Sequence, residues 1–140
     1  MVDTAKTGKA APSTGRKLAG FIGFAAFLVG LLLAIIGGAT VQIGILGGAE
    51  TSSGYVLALV ILGILVGILN ISGKEVIPLL IAAIALIVVG NTTAFAPLDD
   101  LGADAGTRIN AIVALLAVFM TPAAVISAFR AILAVARPGD

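Results

Sequence analysis

LAGFIGFAAFLVGLLLAIIGGATVQIGILGGA, residues 18–49, runs for 32 residues without a charge between Lys17 and Glu50. About 20 apolar residues are enough for an α-helix to cross the hydrocarbon core of a bilayer. Helices buried in soluble domains are generally shorter. The stretch also carries a pattern. Gly23, Gly30, Gly37 and Gly44 recur every seven residues, and Ala19, Ala26, Ala34 and Gly48 fall between them. Steps of three and four keep all of these on one helix face.

Three further runs of the same kind follow. The charge-free intervals are 23 residues between Glu50 and Lys74, 23 between Glu75 and Asp99, and 21 between Arg108 and Arg130. None alternates polar with apolar residues, as barrel strands would. An isolated helix keeps its backbone hydrogen bonds internal and can enter lipid without a partner. The expected fold is therefore all-α: an integral membrane protein with four transmembrane helices in an up-down bundle. The expected spans are residues 18–38 or beyond, 53–71, 74–90 and 107–136. Residues 1–16 read as a disordered cytoplasmic tail, 17–137 as the four-helix transmembrane domain and 138–140 as a C-terminal tail. The basic tail resembles the n-region of a signal peptide. The run after it far exceeds the 7–15 residues of a signal h-region, so the first helix is expected to be a retained anchor.

Composition agrees. Of 140 residues, 60% are hydrophobic and 11% charged, against about 45–50% and 25% in soluble domains. The mean hydropathy is +1.23. A disordered chain needs the opposite composition. A net charge of +1 gives no footprint for nucleic acid.

Orientation follows from the basic residues, which stay on the cytoplasmic side in short loops. With four spans, Lys6, Lys9, Arg16, Lys17, Lys74, Arg130 and Arg137 share one side, and only Arg108 falls on the other. The opposite side carries Glu50, Asp99, Asp100 and Asp104. Both termini are thus expected in the cytoplasm. Phe21, Phe24 and Phe129 would lie near the inner interface, with Tyr55 and Phe95 near the outer one.

The connections differ in kind. Ser72 with Glu75 three residues on has capping-box spacing. It predicts a tight antiparallel hairpin between the second and third helices. Residues 91–106 form the only long loop. Asp99, Asp100 and Asp104 there could offer oxygen ligands to a divalent cation, but their spacing matches no EF-hand. A solvated acidic loop is the plainer reading. Asn91-Thr92-Thr93 matches an N-glycosylation acceptor.

Small residues line the faces that can pack. Lipid gives helices no hydrophobic reason to associate, so close backbone approach has to hold them. Besides the heptad glycines, Gly63 and Gly67 form a GxxxG motif, with Asn70 extending its face. On the fourth helix Asn110, Ala114, Ala117, Thr121, Ala124 and Ala128 step by threes and fours. Asn110 and Thr121 are expected to bond between helices, and Pro122 to kink the fourth. These faces can serve packing within the chain, packing between copies, or both.

Chemistry is sparse. There is no Cys and no His, which removes disulfides, thiolate nucleophiles, imidazole bases and the usual zinc ligands. No charged-residue-free run contains the mid-membrane carboxylate of a proton path. No nucleophile elbow or phosphate loop appears. No enzyme, cofactor or metal site is expected.

The core of the second and third helices, LVILGILVGILNISGKEVIPLLIAAIALIVVG (59–90), with the loop LDDLGADAG (98–106), resembles small four-span membrane proteins of archaea. In size and span number the whole chain is similar to the internal membrane proteins of pleomorphic archaeal viruses. The resemblance implies a structural, scaffolding or assembly role in a membrane and defines no functional residue. The alternatives are a small channel or transporter, lined by Asn70, Asn110 and Thr121, or an accessory subunit of a larger membrane complex. The partners implied are a lipid bilayer and a homo-oligomer or larger membrane assembly.

Overall fold

The computed structural model describes residues 14–40, 53–69, 76–137 and 139. Every regular element among them is helical: α1 (Thr14–Thr40), α2 (Ser53–Leu69), α3 (Val76–Gly90), a 3-10 turn (Ala96–Leu101) and α4 (Ala105–Ala136). Gly44, Gly48 and Asn70 lie outside the described residues, as does the Ser72–Glu75 capping box. Helix α1 begins at Thr14, inside the stretch expected to be a disordered tail.

Two helices are long and apolar enough to cross a membrane: Lys17–Thr40, with 24 residues, and Ala105–Ala136, with 32. At 1.5 Å per residue, the latter extends about 48 Å. The 17 residues of α2 and 15 of α3 give about 25 and 22 Å.

Contacts at the glycines fix the directions. Gly38 meets Ile112 and Gly30 meets Phe119, so α1 runs antiparallel to α4. Gly63 meets Phe119 and Pro122, and Gly67 meets Ala123 and Ile126, so α2 runs parallel to α4. Gly90 meets Val113, Ala114 and Ala117, while the following loop returns Phe95 to Asn110. Helix α3 is therefore antiparallel to α4. The up-down alternation expected from the sequence is present.

The expected hairpin is not. Helices α1, α2 and α3 all pack on α4, and α1 also touches α2. Among the described residues, no Cα of α3 comes within 8 Å of a Cα of α1 or α2. Helix α4 is thus a hub rather than one corner of a closed four-helix bundle. The physical reason is where the small residues point. Gly63 and Gly67 of α2 and Gly90 of α3 all spend their missing side chains on α4. Outer α3 positions such as Ile77, Ile81 and Ile84 are exposed instead. A short turn makes two helices sequential; backbone approach decides which helices touch.

The core lies along α4. Phe119, Leu59, Val66 and Ser127 are its largest fully buried side chains. Phe27 and Phe119 meet with ring centroids 6.0 Å apart and planes tilted by 45°. Pro122 does not break α4, which continues for 14 residues beyond it.

Candidate functional site

The residues singled out by their spacing sort onto separate faces of the hub. Gly23, Gly30 and Gly37 are all buried. A Cβ at Gly30 would collide with the Phe119 ring, and one at Gly37 would lie 2.6 Å from the Tyr55 hydroxyl oxygen. The Tyr55 hydroxyl donates to the carbonyl oxygen of Leu33. The first-helix glycine face is therefore shared between α4 and α2. Gly63 approaches the backbone carbonyl of Phe119, and Gly67 the Cα of Ala123. The GxxxG motif is used within the chain.

The stripe on α4 seats α3. A Cβ at Gly90 would lie 2.9 Å from that of Ala117 and 3.3 Å from the Cα of Ala114. Ala124 is buried and Ala128 half-buried. The two polar members behave differently from expectation. The Thr121 hydroxyl donates to the Ala117 carbonyl of its own helix at 2.6 Å, so it bonds along α4 rather than between helices. Asn110 Oδ1 accepts the Phe95 backbone N–H at 3.2 Å, which ties the loop to α4 and not one helix to another. The preceding turn of the same helix is the nearest acceptor for a threonine hydroxyl.

The acidic loop is organised around the start of α4. Thr107, in its first turn, donates its backbone N–H to Asp99 Oδ1 at 2.9 Å and its hydroxyl to Asp99 Oδ2 at 2.8 Å. That backbone donor is one of the four a helix N-terminus leaves unpaired, and a carboxylate there also meets the positive end of the helix dipole. Gly106 lets the Phe95 carbonyl approach where any Cβ would collide. Gly102, Ala103 and Asp104 turn the chain through three successive positive φ angles of 96°, 61° and 52°. No group of three or more metal-ligating side chains exists among the described residues. The Asn91 amide donates to the Ile87 carbonyl at 2.7 Å, so the glycosylation motif begins directly after the last residue of α3. The sequence offered Asp99 only as one of three possible oxygen ligands and did not pair it with Thr107 or mark Gly106. The clamp joins residues eight apart across an irregular turn, and no helical or strand period marks such a pair.

The Thr107 backbone N–H, then its hydroxyl, hold the Asp99 carboxyl below the ordinary carboxylate range. A depressed folded pKa stabilises the fold above the unfolded value, and that contribution fades as pH falls through the folded one. Thermal melts of the detergent-solubilised protein between pH 7 and 3 are expected to show a decline beginning near pH ~4. Asp99→Asn is expected to flatten this acid limb and lower the melting temperature slightly at neutral pH.

The chain matches no family model, no curated protein and no solved structure. An open groove of about 610 Å³ lies between α2 and α4, lined by Val60, Ile64, Val118, Thr121, Pro122, Val125 and Ile126. Its wall is almost wholly apolar. Val118, Thr121 and Val125 share one face of α4 by their three- and four-residue steps. Neither α1 nor α3 contributes to the groove.

Proposed function

We propose that the protein is a four-span integral membrane protein with a structural or assembly role, both termini lying on the cytoplasmic side. One observation carries the reading: all four helices turn bulky apolar side chains outward. Phe21 of α1 is 69% exposed, Leu57 of α2 58%, Ile77 of α3 68% and Phe129 of α4 64%. A soluble monomer rarely exposes contiguous apolar patches beyond a few hundred Å². Lipid is the solvent that tolerates such a surface on every helix, including the two shorter ones. The shortfall of α2 and α3 against a hydrocarbon core about 30 Å thick is met by local thinning or by polar flanks reaching outward.

Charge supports the orientation. From the pairings of Gly30 with Phe119 and Gly38 with Ile112, Lys17 lies level with Arg130. Asp99, Asp100 and Asp104 precede α4 at the other end. The structural role rests on a dry interior. Among the described residues the buried polar side chain is Ser127, and its hydroxyl donates to the Ala123 carbonyl at 2.7 Å. A conducting path through one chain would need a polar lining. The reading keeps the chain with the small archaeal and archaeal-virus membrane proteins that it resembles.

The chain has no cysteine, so single cysteines can report topology. In intact cells, an impermeant maleimide is expected to label Ser52→Cys and Thr93→Cys. Thr4→Cys, Ser72→Cys and Gly139→Cys are expected to react only after lysis. Labelling of Ser72→Cys and Thr93→Cys from the same side would show that α3 does not span.

A further inference from the structure

We propose that the groove between α2 and α4 holds one acyl chain of an anionic lipid whose headgroup is bound by Arg130. The inference rests on the membrane reading above and adds a ligand to it. The groove wall exposes almost no polar surface. The Thr121 hydroxyl, its one polar side-chain group, is already donated to Ala117. The occupant is therefore hydrocarbon along the whole groove.

The shape of the wall selects a flexible chain over a helix. A docking helix needs small residues that let backbones approach. Here the rims are branched: Val60 and Ile64 on α2, Val118, Val125 and Ile126 on α4. The small residues nearby, Gly63, Gly67 and Ala123, are spent between α2 and α4 themselves. A second copy of the chain would meet methyl groups rather than backbone.

Charge sets the headgroup. Val118, Pro122 and Ile126 form an i, i+4 ridge along the groove, and the next step on that ridge is Arg130, which is exposed. Along α4 the groove runs from Val118 to Ile126, eight steps or about 12 Å, and Arg130 lies about 6 Å further. The sum is close to one leaflet of a core about 30 Å thick. A phosphate at the level of Arg130 would thus place its acyl chain in the groove. Lys17 lies at the same end of the molecule, so the local potential favours an anionic headgroup over a zwitterionic one.

The test is native mass spectrometry of the full chain, released from detergent containing equal phosphatidylglycerol and phosphatidylcholine. The wild type is expected to retain one phosphatidylglycerol, favoured about fivefold, the contribution of one basic residue near a lipid surface. Val125→Trp fills the groove and is expected to abolish retention of either lipid while helicity stays unchanged. Should that variant fail to fold, Ile64→Phe narrows the opposite wall and is expected to reduce retention in the same way. Arg130→Gln is expected to keep one lipid and lose the preference for phosphatidylglycerol. Retention unchanged by a folded groove variant, or a preference that survives Arg130→Gln, overturns the proposal. Conversion of a dimer to a monomer by Val125→Trp would assign the groove to a second copy and also overturn it. If cysteine labelling places the spans as expected and lipid retention fails, the lipid site alone falls. If labelling fails, the membrane reading falls with it.

Discussion

Replacing Gly63 with leucine is expected to separate α2 from α4 and to cost far more stability than the same change at an open position of the helix. A Cβ at Gly63 would run into the backbone carbonyl of Phe119 and lie 2.6 Å from Cγ of Pro122. Neither neighbour can swing aside. One is main chain, and the other is a ring whose φ is fixed. Overpacking typically costs about 1–3 kcal/mol, and a clash with backbone belongs at the upper end. Gly54→Leu on the same helix is the control, because nothing lies within 4 Å of the Cβ position there. Thermal unfolding in detergent reads both. Equal shifts would mean that the α2–α4 approach does not exist in the membrane. The same logic ranks Gly30→Leu, which meets the buried Phe119 ring, well above Leu32→Ile, whose side chain is 56% exposed.

Phe119→Ala is expected to cost about 2 kcal/mol, the cavity share of the 3–5 kcal/mol typical for such a truncation in a soluble core. On the proposed membrane reading the transfer share is small, because lipid is as apolar as the protein interior. Phe119 is fully buried. Its ring lies against Gly30 and Phe27, and its carbonyl against Gly63. It joins α1 and α2 to the hub at one point. The informative measurement is a double-mutant cycle with Gly30→Leu. Each change alone is destabilising, one by a cavity and the other by a clash. Together the leucine occupies the space the ring vacates, so the double variant is expected to be more stable than the sum of the two losses. Contacting residues couple by about 0.5–3 kcal/mol. Strict additivity of the two changes would place Gly30 and Phe119 apart.

Both predictions concern residues whose importance the sequence marks unequally. Spacing singled out Gly63 and Gly30, because small residues at steps of three, four and seven share a helix face. Phe119 carries no such mark: one phenylalanine among many apolar residues has no period. The same contrast holds at the long loop. Three aspartates were visible there, but only the fold distinguishes Asp99, which reaches Thr107, from Asp100 and Asp104.

The sequence by itself determined that the chain is helical, where each helix lies to within a few residues, and which faces carry small side chains. Those properties depend on local composition: long charge-free runs, helical periodicity and breaks at polar turns. The alternation of helix directions was expected from the same source, because successive membrane-spanning runs reverse direction. What only the tertiary structure decided is which helix each face meets. The sequence offered a hairpin of the second and third helices and left the glycine faces open to partners within or between chains. In the fold they converge on α4, whose alanines and Ser127 admit a neighbour on more than one side. On the proposed membrane reading, lipid removes the hydrophobic ordering of neighbours that helps in water, so partner choice rests on the fit of particular surfaces. That fit belongs to pairs of helices far apart in the chain, and no single stretch of sequence contains it.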